Sequence, residues 1–410
     1  MRKRTIIVSM LVMVLFIVAG CQKQPATVSK ESAEQATEQG TGNHMIEVEV
    51  PEEYKYSSDN LTIDIDLSVP ENLILAKATA TKLYNDVNTQ KAGEVLFPFE
   101  DYKYEEVDGM NDMDGIIGKG YYWKIEDEER IYKRFLINPE TYCLGLIDNT
   151  LSDWINCSFR YEEEKSNYEL YEEDKKYLPK ETVKKFEKRN KNNVDLYRKE
   201  LSFASSEEAV KNCLEQLREA TIDIGEDIFY ECFGLDKDTM KQEYFEIDSN
   251  GDVRSESEVE DLEDCYYIFG RQQLQELPVF FFDSYNVYNP LYRENAPIQM
   301  IYSKDGMIDF ECNRMFRFQV KNEYYEQLVD FEDVAELIKD RYIDILGDST
   351  YEIDRGGLFY YAKGDGSGVN YEMVPAWVFQ VKEYDKYKTE EVQSVILIDA
   401  VTGEEMEYEK

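Results

Sequence analysis

The sequence predicts an α+β fold: an N-terminal α+β domain with an antiparallel meander, then two tandem helix-plus-antiparallel-sheet units. Three observations predict it. Residues 61–69 alternate apolar and polar without a break, and residues 121–161 hold four short aromatic-rich runs. Two apolar stripes of helical spacing, near 205–217 and 330–345, are each followed by aromatic strands. A 42% hydrophobic content supplies real cores, and the chain is long enough for two or more domains.

At the amino terminus Arg2, Lys3 and Arg4 precede residues 5–20, which carry no charge and lead into Val18-Ala19-Gly20-Cys21. A basic cluster before an apolar run is the order of a secretory signal, and the run falls short of the roughly 20 residues a spanning helix needs. Val18-Ala19-Gly20-Cys21 resembles the lipobox of bacterial lipoproteins, a likeness confined to the first 21 residues. The resemblance implies that residues 1–20 are a signal peptide and that the Cys21 thiol receives a diacylglyceryl group. It also implies a lipoprotein anchored at the cell membrane and facing the extracellular side, since acyl chains hold a chain at a bilayer without a spanning helix. Residues 22–43 contain no aromatic residue and only Val28 as a larger apolar one. Residues 21–44 therefore read as a lipidated cysteine on a disordered tether.

Residues 45–165 read as the N-terminal domain. Leu61, Ile63, Ile65, Leu67 and Val69 share one face of a half-buried strand. Pro70 stands where a helix could begin, and Leu73, Ala76, Ala80, Leu83 and Val87 follow at helical spacing. The runs 121–125, 131–137, 142–147 and 155–161 then form the meander, with Asn138-Pro139 as one dividing turn. Residues 166–200, dense in Glu, Lys, Asn and Tyr, form a charged connector.

Residues 201–325 and 326–410 read as two copies of one unit. Ser205 and Glu208 make a capping box ahead of Val210, Cys213, Leu214 and Leu217. Asp330 opens the second helix, with Val334, Leu337, Ile338, Tyr342 and Ile345 on one face. Strands at 265–269 and 358–362 follow, then the similar words Leu277-Pro278-Val279-Phe280 and Val374-Pro375-Ala376-Trp377. Met300-Ile301-Tyr302 before Asp305-Gly306 closes the first unit, and Ile396-Leu397-Ile398 before Thr402-Gly403 closes the second. The first carries an extra hairpin over 244–253, turning at Asn250-Gly251. Helix-then-strands with Val374-Pro375-Ala376-Trp377 and residues 398–403 (IDAVTG) resembles PepSY-type domains. Such units occur in YycH/YycI-like membrane-anchored regulators and in uncharacterised surface lipoproteins of Gram-positive bacteria. The resemblance covers roughly residues 201–410 and implies an extracytoplasmic module that binds or regulates another protein. It carries over no functional residue.

Composition excludes more chemistry than it suggests. The net charge is −40, and loss of Arg2, Lys3 and Arg4 with the leader takes it to −43. Such an acidic chain repels nucleic acid and anionic headgroups. His44 is the single histidine and sits where the tether meets the first strand, a poor place to hold a base in geometry. One histidine also rules out H-E-x-x-H zinc chemistry. Of the cysteines beyond Cys21, none of Cys143, Cys157, Cys213, Cys232, Cys265 and Cys312 forms a C-x-x-C pair. Cys143 and Cys157 are the nearest disulfide candidates, and Cys213 falls on an apolar helix face.

Oxygen ligands and carboxylates are abundant but unspecific. Residues 246–253 alternate donors around Gly251, yet Ser257 stands where a calcium loop needs a bidentate Glu, so a hairpin turn fits better. Residues 108–115 lack even that spacing, and residues 364–368 lack the Lys-Ser/Thr of a phosphate loop and read as a hairpin turn. No pair among 86 acids stands out as hydrolytic. Tyr121-Tyr122-Trp123 and Phe280-Phe281-Phe282 could stack a sugar or peptide, while strand packing accounts for most aromatics, with Trp377 as a core anchor. The sequence thus leads to a membrane-anchored lipoprotein without catalytic, cofactor or metal residues, binding a protein partner. The alternatives are a sugar- or peptide-binding lipoprotein and, third, a carboxylate hydrolase.

Overall fold

The structure, a computed structural model, describes residues 45–67, 69–70, 72–82, 88–111, 117–126, 131–138, 143–148, 155, 158–159, 180, 183–184, 193–225, 227–244, 262–280, 296–313, 315–343, 345, 348–366, 370–384 and 391–407. It corrects the expected α+β class. The chain is mostly β, built on sheets of nine and eight strands, and it is not a series of helix-plus-sheet units of PepSY type.

The nine-stranded sheet takes its strands from two distant stretches. β6 (Lys103–Asn111), β7 (Ile117–Glu126), β8 (Ile131–Asn138) and β9 (Cys143–Asp148) form the antiparallel meander. β9 then pairs with β14 (Gly306–Asn313), followed by β13 (Ile298–Ser303), β11 (Cys265–Leu274) and β10 (Ile228–Leu235). The short β12 (Leu277–Pro278) folds back on β11.

The eight-stranded sheet mixes the chain's two ends. Its order is β15 (Phe316–Tyr324), β5 (Ala76–Lys82), β17 (Asn370–Tyr384), β16 (Thr350–Gly364), β3 (Leu61–Asp66) and β2 (Glu53–Ser57). β18 (Glu391–Asp399) and β19 (Glu405–Met406) continue from the later part of β17. β3 joins parallel to β16, with Leu61 opposite Tyr351. A two-stranded pair, β1 (Ile46–Glu47) with β4 (Asn72–Leu73), lies beside it.

Four α-helices occur among the described residues: α1 (Thr89–Leu96), α2 (Ser206–Glu219), α3 (Lys237–Glu243) and α4 (Phe331–Ile343). The capping box of α2 is complete: Ser205 Oγ accepts from the Glu208 N–H at 3.2 Å, and Glu208 Oε2 accepts from the Ser205 N–H at 2.9 Å. α1 and α2 pack on one face of the nine-stranded sheet, against Phe135, Ile268, Ile298 and Phe310. α4 packs on the eight-stranded sheet, where Phe331 meets Trp377 edge-on at 5.2 Å.

Three local expectations fail for physical reasons. The helix placed after Pro70 is strand β5 over residues 76–82: Ala76, Ala78 and Ala80 are buried while Lys77, Thr79 and Thr81 lie on the other face. That is period two, which the helix-forming bias of alanine disguised. Within the run 155–161 the described residues are not a meander strand: Ile155 and Ser158 are helical, and the Phe159 N–H donates to the Ile155 carbonyl at 2.7 Å. The two similar words are not equivalent either. Val374-Pro375-Ala376-Trp377 lies within central strand β17, whereas residues 277–280 cross from one sheet to the other, with Val279 bridging Tyr360.

Candidate functional site

One side of the nine-stranded sheet carries a single row of apolar residues, one from each of eight strands. Cys232, Ile268, Met300, Phe310, Leu146, Phe135, Trp123 and Tyr104 lie opposite one another in that order. From Ile268 to Trp123 every member is buried; Tyr104, at the edge, is 47% exposed. β6 pairs only with β7 among the described residues, so alternate N–H and C=O groups of β6 face outward. The row stops where another strand could continue it.

Local packing fixes this edge. A Cβ on Gly93 would lie 2.4 Å from Trp123 Cε2, so only glycine lets α1 press against that indole. Trp123 in turn carries the Tyr104 ring, at 5.1 Å. The chain leaving α1 adds Phe97, which is buried, with Phe99 at 4.8 Å and Tyr102 at 6.2 Å, both edge-on. Phe99 is 36% exposed and Tyr102 44%, and Lys133 Nζ sits 5.3 Å from the Phe99 ring.

Charge is ordered along the same strand. The Tyr104 phenol donates to Glu106 Oε1 at 3.1 Å, and Lys119 pairs with Glu106 Oε2 at 2.5 Å. The hydrogen bonds from Lys119 and Tyr104 hold the Glu106 carboxyl below the usual range. Partial desolvation, then Glu106, raises the Tyr104 phenol. On the opposite face Glu105 pairs with Lys124 at 3.0 Å.

A second feature is a pocket of about 280 Å³ at the start of α2, lined by Phe203, Ala204, Glu208, Lys211, Asn212, Tyr302 and Lys304. Asn212 Nδ2 donates to the Tyr302 hydroxyl at 2.7 Å, and the Phe203 and Tyr302 rings lie 6.2 Å apart. Behind it Glu200 takes the Ser206 N–H at 2.6 Å, the Ser206 hydroxyl at 2.8 Å and the Tyr266 phenol at 2.9 Å. This knot pins the first turn of α2 to β11. Lys304 reaches Asp305 at 2.8 Å and Glu263 at 3.4 Å.

The residues singled out from sequence are placed unevenly. Cys21, His44, Cys157, Phe281, Phe282, residues 245–253 of the expected hairpin and Ser257 lie outside the described residues, as does the Cys143 side chain. Cys213, Cys232, Cys265 and Cys312 are thiols rather than disulfides. Residues 108–111 belong to β6, and residues 112–116 are outside the described part. Gly364 and Gly366 lie at the β16–β17 turn, with Gly366 at φ +80°. Trp377 and Phe280 are buried. Among the described residues no three His, Cys, Asp or Glu side chains gather to hold a metal. No helix among them is long and apolar enough to cross a membrane.

The edge itself was not singled out from sequence, although residues 97–106 (FPFEDYKYEE) carry its signal, aromatics interleaved with charges beside a meander. No protein-family model and no curated protein matches the chain. An uncharacterised protein from Eubacterium rectale has a similar structure, with a TM-score of 0.51 at 15% identity over 88% of this chain and 94% of that one. The likeness is one of fold alone.

Proposed function

We propose that the chain is a non-catalytic docking module, held at the outer face of the cell membrane through Cys21, that takes a strand of a protein partner at the outward edge of β6, which pairs with β7 alone among the described residues. The observation that carries this reading is the apolar row ending on half-exposed Tyr104. Strand addition satisfies the outward backbone groups, and side chains beside Tyr104 supply selectivity. The test is crosslinking in living cells through a photoreactive side chain at position 102, followed by purification through a C-terminal tag. The expected result is a discrete adduct that Tyr104→Lys removes. An adduct unchanged by Tyr104→Lys would overturn the edge as the docking site. For the anchor, Cys21→Ser should leave unprocessed, unlipidated precursor.

The pocket supports a second reading, a sugar or short peptide held between the Phe203 and Tyr302 rings with Asn212 and Lys211 as polar partners. A thermal-stability screen with oligosaccharides and peptides tests it: a shift lost in Tyr302→Ala would favour it over the docking edge.

A further inference from the structure

Resting on the docking reading, we infer that the strand accepted by β6 is β6 of a second copy of this chain, antiparallel, with Tyr104 beside the twofold axis. A twofold axis perpendicular to a continuous sheet keeps the helices of both copies on the same side. Directly opposed residues must then project from the same face, and successive strand residues alternate faces. The axis therefore passes beside a residue, never between two.

That leaves few registers over residues 103–106 of β6. An axis at Lys103 sets lysine against lysine, and one at Glu105 or Glu106 sets glutamate against glutamate. Like charges directly opposite destabilise a strand pair. An axis at Tyr104 places Tyr104 on Tyr104, Lys103 of each copy on Glu105 of the other, and Tyr102 of each on Glu106 of the other. Over residues 101–107 this register opposes no like charges directly. It matches the aromatic ring at the axis, the Lys–Glu pairs on either side, and the exposed Tyr102 hydroxyl facing a carboxylate.

The packing argument agrees. The apolar rows of the two copies, each ending on Tyr104, become one uninterrupted row across both sheets. Tyr102 and Tyr104, 44% and 47% exposed, come together across the axis. An isologous twofold contact is also the commonest route to a closed oligomer. The large negative charge of each copy opposes association at long range. At about 0.15 M salt, however, charges farther apart than about 8 Å are largely screened, whereas the paired Lys103 and Glu105 would be in contact.

The test is sedimentation of the full, anchored chain in detergent at about 0.15 M salt. The wild type should form dimers. Lys103→Glu and Glu105→Lys should each weaken dimerisation by about tenfold or more, because each creates like-charge pairs. An equimolar mixture of those two variants should recover dimers, now hetero-paired, and so should the double variant K103E/E105K. Recovery in the mixture also shows that both variants are folded. A wild-type chain that stays monomeric while its position-102 adduct contains a different protein removed by Tyr104→Lys overturns this inference and leaves the docking reading intact. A dimer indifferent to Tyr104→Lys and to the charge variants overturns both.

Discussion

The side-chain amide of Gln272 exchanges two hydrogen bonds with the backbone of Phe316. Nε2 donates to the Phe316 carbonyl at 2.7 Å, and the Phe316 N–H donates to Oε1 at 2.9 Å. Gln272 is 3% exposed and lies in β11 of the nine-stranded sheet, while Phe316 opens β15 at an edge of the eight-stranded sheet. A side chain thus does for one residue what a neighbouring strand would do, and it ties the two sheets together.

Gln272→Leu should therefore cost about 1–3 kcal/mol, since it keeps the volume but leaves the half-buried Phe316 N–H and C=O without their side-chain partner. Urea unfolding followed by circular dichroism measures the loss. A change under about 0.5 kcal/mol, the size of an ordinary surface substitution, would show that the amide is not holding the sheets.

Gly93→Ala sets two effects against each other. Alanine favours helix over glycine by about 1 kcal/mol, but overpacking a filled site costs about 1–3 kcal/mol. With Trp123 Cε2 only 2.4 Å from the new Cβ, the steric effect should win. The expected outcome is net destabilisation with a shifted Trp123 near-ultraviolet signal, because the indole must move. A stabilised variant with an unchanged aromatic spectrum would contradict this account of the close approach.

The features that local sequence reveals are those set by local chemistry. The α2 capping box, the apolar stripe of α4, the alternation of β3 and the aromatic runs that become β7, β8 and β9 are all legible within a few residues. The partition into two sheets is not, because it depends on pairings between distant stretches. Phe310 sits opposite Leu146, and Arg317 opposite Thr81. No short-range pattern records such partners, so the repeated helix-then-strand order looked like tandem units. The edge escaped for the same reason: Tyr104 is half exposed at the last strand of the sheet among the described residues, and strand order decides that.

Burial should make two of the thiols inert. Cys213 and Cys265 are fully buried, and desolvation pushes both thiols well above their ordinary value of 9.0. Because the thiolate is the nucleophile, iodoacetamide at about pH 8 should leave both unmodified in the native chain and label both in urea. Peptide mapping by mass spectrometry checks this. The sign of the linked stability follows: the folded state keeps these protons while the unfolded thiols release theirs. Their contribution is fully present below the ordinary thiol pKa and declines as pH rises beyond 9.0. Ready labelling of native Cys265 would refute the burial.

The turn between β11 and β12 offers one substitution with opposite signs at adjacent positions. Gln275 and Glu276 hold φ at +51° and +71°, a left-handed pair that two-residue hairpins ordinarily fill with Asn-Gly. At Glu276, which is exposed, glycine relieves the strain, and after its greater freedom in the unfolded chain is counted the gain should be about 0.5–1 kcal/mol. Glycine at Gln275 relieves the same strain but removes the Oε1 that accepts the Ala76 N–H at 2.6 Å. Ala76 is fully buried at the start of β5, so its N–H would lose a partner at a cost of about 1–3 kcal/mol. Glu276→Gly should therefore raise the urea midpoint and Gln275→Gly lower it. Equal gains at both positions would mean that the Gln275 side chain does not secure β5, and that the turn is strained without compensation.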